Sequence, residues 1–120
     1  MTPSQDSRTL KVRVHLPPGA VPSATAVLRV RVEDVSGADK AAPVIAEKVV
    51  QLSADADVTI EVPPGLVDPG ATYSVFLHVD GDGSGNIDVG DFISPATHPV
   101  LTQGAPDAVE AELVRVGGRA

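Results

Sequence analysis

Residues 9–16 read Thr-Leu-Lys-Val-Arg-Val-His-Leu, an unbroken alternation with Leu10, Val12, Val14 and Leu16 on one side and Lys11, Arg13 and His15 on the other. A period of two marks a half-buried β-strand, because successive side chains on a pleated backbone point to opposite faces. The pattern recurs. In residues 26–35, Leu28, Val30 and Val32 oppose Arg29, Arg31 and Glu33; in 57–62, Val58, Ile60 and Val62 oppose Thr59 and Glu61. Residues 72–79 place Tyr73, Val75, Leu77 and Val79 on one face. Residues 44–52 alternate less cleanly and read as a strand with one face only partly covered. Phe92-Ile93 and Pro99-Val100-Leu101 read as short strand pieces, and 108–116 closes the domain. Nowhere do apolar residues recur at helical spacing over three turns, so no substantial helix is expected. Turn signals fall between the runs, at Pro17-Pro18-Gly19, Pro63-Pro64-Gly65 and Asp68-Pro69-Gly70. About seven short strands so punctuated predict an all-β fold, a two-sheet antiparallel β-sandwich.

The chain's 120 residues make one domain, and 42% apolar content suffices for a core. Aromatic side chains are scarce (Tyr73, Phe76 and Phe92), so valine has to fill that core. The sandwich is expected over 9–116, with flexible tails at 1–8 and 117–120, and as a monomer. A net charge of −7 argues against nucleic acid and anionic lipid, both of which need Lys and Arg. With no cysteine there is no disulfide, thiolate zinc site, Cys nucleophile or acylated Cys. No apolar run approaches the ~18 residues of a membrane span, so no membrane insertion is expected. Met1 to Ser7 is polar and shows no leader. The chain as it stands reads as cytoplasmic, or as periplasmic or cell-envelope if a leader has been removed.

One segment carries chemistry. Residues 80–91 are Asp-Gly-Asp-Gly-Ser-Gly-Asn-Ile-Asp-Val-Gly-Asp. Counted from Asp80, oxygen-bearing side chains fall at positions 1, 3, 5, 9 and 12 (Asp80, Asp82, Ser84, Asp88 and Asp91). Gly85 is at position 6 and Ile87 at position 8. This is the register of the calcium loop of EF-hands and dockerins, in which the carbonyl of position 7, here Asn86, is a further ligand. A chain wrapping a cation turns alternate side chains inward, and position 6 bends sharply, commonly with φ > 0, which Gly accepts freely. Four carboxylates so close would repel one another, leaving a dication or protonation as the local remedy. Asp for Glu at position 12, and strands for the flanking helices, make the loop EF-hand-like rather than an EF-hand. Its Ca2+ affinity is expected at roughly 10⁻⁶ to 10⁻³ M, with magnesium weaker.

The remaining candidates read as structural. His15, His78 and His98 lie on separate runs and are expected to face solvent. There is no G-x-S-x-G elbow and no phosphate-binding glycine pattern. Lys11, Arg13, Arg29 and Arg31 would form one positive face if their strands were neighbours; a solvated face balanced by Glu33, Glu47 and Glu61 is the plainer reading. The irregular run 44–52 is the candidate edge strand for an added partner strand.

Longer stretches carry a resemblance. Leu16 to Ala20, Leu28 to Ser36, Val44 to Glu47, Tyr73 to Val75, Thr97 to Gly104 and Val109 to Val116 follow one another in an order similar to the YscW/YbaY family of small bacterial lipoproteins. The resemblance covers roughly residues 9–116 and implies a compact β-sandwich. It also implies a role like that of the family's pilotin-like chaperones, which help outer-membrane secretins of type III secretion to assemble. Family lipoproteins carry a leader and an acylated Cys, and the acidic loop 80–91 replaces what is often a shorter connection. The leading expectation is therefore a non-enzymatic calcium-binding β-sandwich module. The alternative is a pilotin-like protein-interaction module, and a hydrolase ranks last.

Overall fold

The structure is a computed structural model; it describes residues 8–37, 43–52, 54–87, 89–94, 98–102, 104–105 and 107–117. Nine strands occur among them: β1 (Arg8–His15), β2 (Val27–Asp34), β3 (Val44–Gln51), β4 (Ala56–Val62), β5 (Tyr73–Asp80), β6 (Phe92–Ile93), β7 (Pro99–Val100), β8 (Ala108–Glu112) and β9 (Val114–Arg115). One 3-10 turn, Pro64–Leu66, is the only helical piece among the described residues. Residues 1–7 and 118–120 of the expected tails lie outside the described residues, and Arg8 already belongs to β1, opposite Val62.

The strands form two sheets, β4-β1-β8 and β3-β2-β5-β6-β9, with β7 added alongside β5. All pairings are antiparallel except one: β8 runs parallel to β1, with Val12 beside Val109 and Val14 beside Ala111. The alternation legible in each run becomes the core. Leu10, Val12 and Val14 of one sheet meet Leu28, Val30, Val32, Val75, Leu77 and Val79 of the other, all at most 1% exposed. Tyr73 closes one end. Its hydroxyl accepts from the Asp68 N–H at 2.7 Å and donates to the Leu66 carbonyl at 3.3 Å, which anchors the Pro-Gly-rich turn.

The four basic residues do not share a face, because β1 and β2 sit in different sheets. Each arginine has its own carboxylate: Arg13 with Asp57 at 2.9 Å, Arg31 with Glu47 at 2.8 Å and Arg29 with Asp80 at 3.3 Å. β3 does end the larger sheet, as the irregular pattern at 44–52 suggests. Lys48 reaches from it to the Thr59 carbonyl of β4 at 2.9 Å and ties the two sheets at that side.

β5 breaks the half-buried rule. Ser74, His78 and Asp80 lie on the face opposite Tyr73 and Val75, yet all three are buried. β6 and β7 pair with β5 in the same sheet, and each of the three polar side chains meets a partner on the outer face: Asp80 the loop N–H groups and Arg29, His78 the Asp91 carboxylate, and Ser74 the His98 N–H. Ser94 bonds the Leu77 backbone twice, donating its N–H and accepting on Oγ, each at 3.0 Å. Ser74 Oγ accepts from the His98 N–H at 3.0 Å. Leu101, just after β7, is the one described non-glycine residue with positive φ (+73°). That conformation costs on the order of 1 kcal/mol, and burial of the leucine side chain offsets it.

Candidate functional site

Asp80 is the last residue of β5 and is 0% exposed. A buried carboxylate is costly unless its oxygens are paired. Here Oδ1 accepts from the N–H groups of Asp82 (3.3 Å) and Gly83 (3.0 Å), and Oδ2 from that of Gly85 (2.7 Å). Arg29 Nη2 completes the shell at 3.3 Å from Oδ2. The arginine reaches it diagonally across the β2–β5 ladder, where Arg29 lies opposite His78 and Val27 opposite Asp80. Burial pushes the Asp80 carboxyl upward. The Gly85 N–H, the Asp82 side chain and N–H, and Arg29 outweigh it and hold the group at about 2. The bond from position 1 to position 6 demands a tight return of the chain, and Gly85 makes it with φ +88°, as its place in the register predicts.

Asp91 sits at the other end of the loop and is also buried. Its Oδ1 accepts from the Gly81 N–H at 3.0 Å, and its Oδ2 lies 2.8 Å from His78 Nε2. An ionised carboxylate only accepts, so His78 presents Nε2–H to it. The backbone on either side is anchored to β9's end, with Gly90 N–H to the Val116 carbonyl at 3.1 Å and Val116 N–H to the Asp91 carbonyl at 2.8 Å. Ser23 and Thr25 donate hydroxyls to the Gly81 carbonyl at 2.6 and 2.7 Å. The loop is therefore held at its base by side chains from three separate parts of the chain.

Two of the six expected ligand residues, Asp80 and Asp91, converge. His78 joins them, and the three bring ligand atoms within 4.8 Å of one another, the only such group among the described residues. Asp82, Ser84 and Asn86 are exposed. Asp82 Oδ1 accepts from the Ser84 N–H at 3.0 Å, and Ser84 Oγ from the Asn86 N–H at 3.1 Å, so both side chains serve local turns. Asp88 lies outside the described residues. The repulsion among carboxylates has a third remedy beyond a dication or protonation: Arg29 faces Asp80, and His78 faces Asp91.

The solvent-facing reading of the histidines is corrected at His78, which is 1% exposed. His15 is half-buried between Glu110 (2.6 Å) and Asp55 (3.5 Å), and His98 is partly covered with a buried Nδ1. Sequence reasoning missed His78, Arg29, Ser23 and Thr25 as parts of the site. A signal existed for one of them: the unusual set Ser74, His78 and Asp80 shares a face of a strand whose other face is wholly apolar. The role of Arg29 depends on register, which no single run reveals.

A search of curated proteins found no match. Among solved structures, an alternative pilotin from the type II secretion system of Vibrio cholerae is similar in fold. Its TM-score is 0.78 at 22% identity, over 93% of this chain and 99% of that one. The family described as type III secretion system lipoprotein chaperone (YscW) matches residues 5–113, and with that span, nearly the whole sandwich, the chain belongs to the YscW family.

Proposed function

We propose that the protein is a non-enzymatic, partner-capturing chaperone of a bacterial secretion system, which holds a segment of an outer-membrane secretin during delivery or assembly. The family match over residues 5–113 carries this reading. The pilotin-like fold and the free edge of β3 support it. An edge strand leaves a row of N–H and C=O groups without ladder partners, and Val44 and Val49 on it are each 47% exposed. The test is deletion of the gene in its own organism, followed by assay of assembled secretin multimers in the outer membrane. Loss of multimers, restored by the wild-type gene, is the expected result. Unchanged multimers with normal secretion would refute the reading.

A second reading keeps the metal. The twelve-residue register and the Asp80–Gly85 bond favour Ca2+ uptake by Asp80 and Asp91, with Asp82, Ser84 and the Asn86 carbonyl swinging in and Asp88, by its place in the register, as a further ligand. Arg29 opposes it, since its guanidinium already answers the charge of Asp80. Binding to the folded state alone would add about 2.7 kcal/mol at a hundredfold excess over Kd. A melting temperature that rises with calcium in the native chain, rises less with magnesium, and stays flat in Asp91→Asn is the expected outcome. No shift at about 10 mM calcium, above the weak end of loop affinities, ends this reading.

A further inference from the structure

The Ser23 and Thr25 contacts fasten the segment between β1 and β2 to the first turn of the acidic loop. A groove of about 530 Å³ lies alongside. Its lining includes the buried side chains of Ala26, Val79 and Phe92, the rigid pair Pro17 and Pro18, and Val21, which is 85% exposed. Prolines fix φ and offer no N–H, so Pro17, Pro18 and Pro22 interrupt any ladder along this wall. That favours an occupant that docks by its side chains, at little cost in ordering the wall. Arg115 of β9 also lines the groove. Among the described arginines, Arg8, Arg13, Arg29 and Arg31 each face a carboxylate, and Arg115 faces none. In a chain of net charge −7, an unpaired guanidinium beside a groove of mixed apolar and polar lining is a local attractor for a carboxylate. A larger hollow, about 600 Å³ on the three-stranded sheet, mixes Lys11 and Arg13 with Asp57 and Glu110 and so favours neither sign.

We propose that this groove receives an amphipathic peptide segment of the protein partner, its apolar side chains against Val21, Pro17 and Pro18 and the rim of Phe92, and a carboxylate on Arg115. The inference rests on the partner-capture reading and names the surface and the chemistry of what is held. Its test is selection from a displayed library of random 12-residue peptides, followed by titration of the enriched peptides into isotope-labelled protein. Enriched peptides should combine apolar residues with at least one acid and shift the amides of Val21, Phe92 and Arg115. Arg115→Glu should weaken them tenfold or more, with an unchanged melting temperature, and replacing the peptide's acid by arginine should restore binding to that variant. Val21→Asp, on a fully open position, provides an independent disruption should Arg115→Glu fold poorly. Peptides that shift β3 instead, or that ignore both substitutions, overturn the groove and leave partner capture standing. A library with no enrichment over a blank support counts against both.

Discussion

Asp80→Ala is expected to destabilise the domain by about 3 kcal/mol, toward the lower end for breaking a buried ion pair. The substitution strands the N–H groups of Gly83 and Gly85 and leaves Arg29, whose side chain is 19% exposed, without its carboxylate. Partial access of Arg29 to water keeps the loss from the upper end. Urea midpoints at neutral pH measure it, and the pH dependence gives a second check. The folded carboxyl titrates at about 2 against an ordinary 3.8. A lowered pKa means that the folded state favours the ionised form. The contribution is therefore full above the unfolded value and is lost as pH falls from about 4 toward 2. The gap between wild type and Asp80→Ala should narrow over that window. A loss below about 1 kcal/mol at neutral pH, or a gap that ignores acid, would show that the buried shell contributes little. Arg29→Met in a double-mutant cycle isolates the arginine's share, and the two losses should fall short of adding.

Leu77→Ala should cost about 2–5 kcal/mol, the largest effect expected from a single aliphatic truncation here. Leu77 is 0% exposed, lies opposite Val30 on β2, and is walled by the other sheet, so the vacated space cannot close without moving a strand. Val49→Thr on β3 is the matched control. At 47% exposure on a sheet edge it should change stability by no more than about 0.5 kcal/mol. Equal losses at the two positions would mean that β5 is not the central strand of the core.

Much of this architecture is readable before any coordinates. Leu10, Val12 and Val14 alternate with charged neighbours, and that alternation alone places them inside, because a pleated strand has two faces and only one can be dry. Gly85 at the sixth loop position announces a positive φ, a conformation that strains a residue bearing a Cβ and that glycine adopts freely. The untidy pattern at 44–52 fits the strand that ends the larger sheet, where no residue from Val44 to Gln51 is fully buried and alternation is not enforced. His78 shows where such reading stops. Ser74 and Asp80 on its side of the strand look like an exposed face, and that face is dry only because Asp91 and Arg29, from elsewhere in the chain, close over His78 and Asp80.

The parallel pairing of β8 with β1, the diagonal reach of Arg29 to Asp80, and the meeting of Asp91 with His78 thirteen residues away belong to the same class. So does the groove beside Arg115, assembled from the β1–β2 connection, β5, β6 and β9. Hydrophobic periodicity and turn chemistry are local quantities, set by each residue and its near neighbours, and they suffice to write down the strands, their faces and the shape of a loop. Which strands lie side by side, and which charges then answer one another, depends on the free energy of the whole packed chain, and no local pattern encodes it.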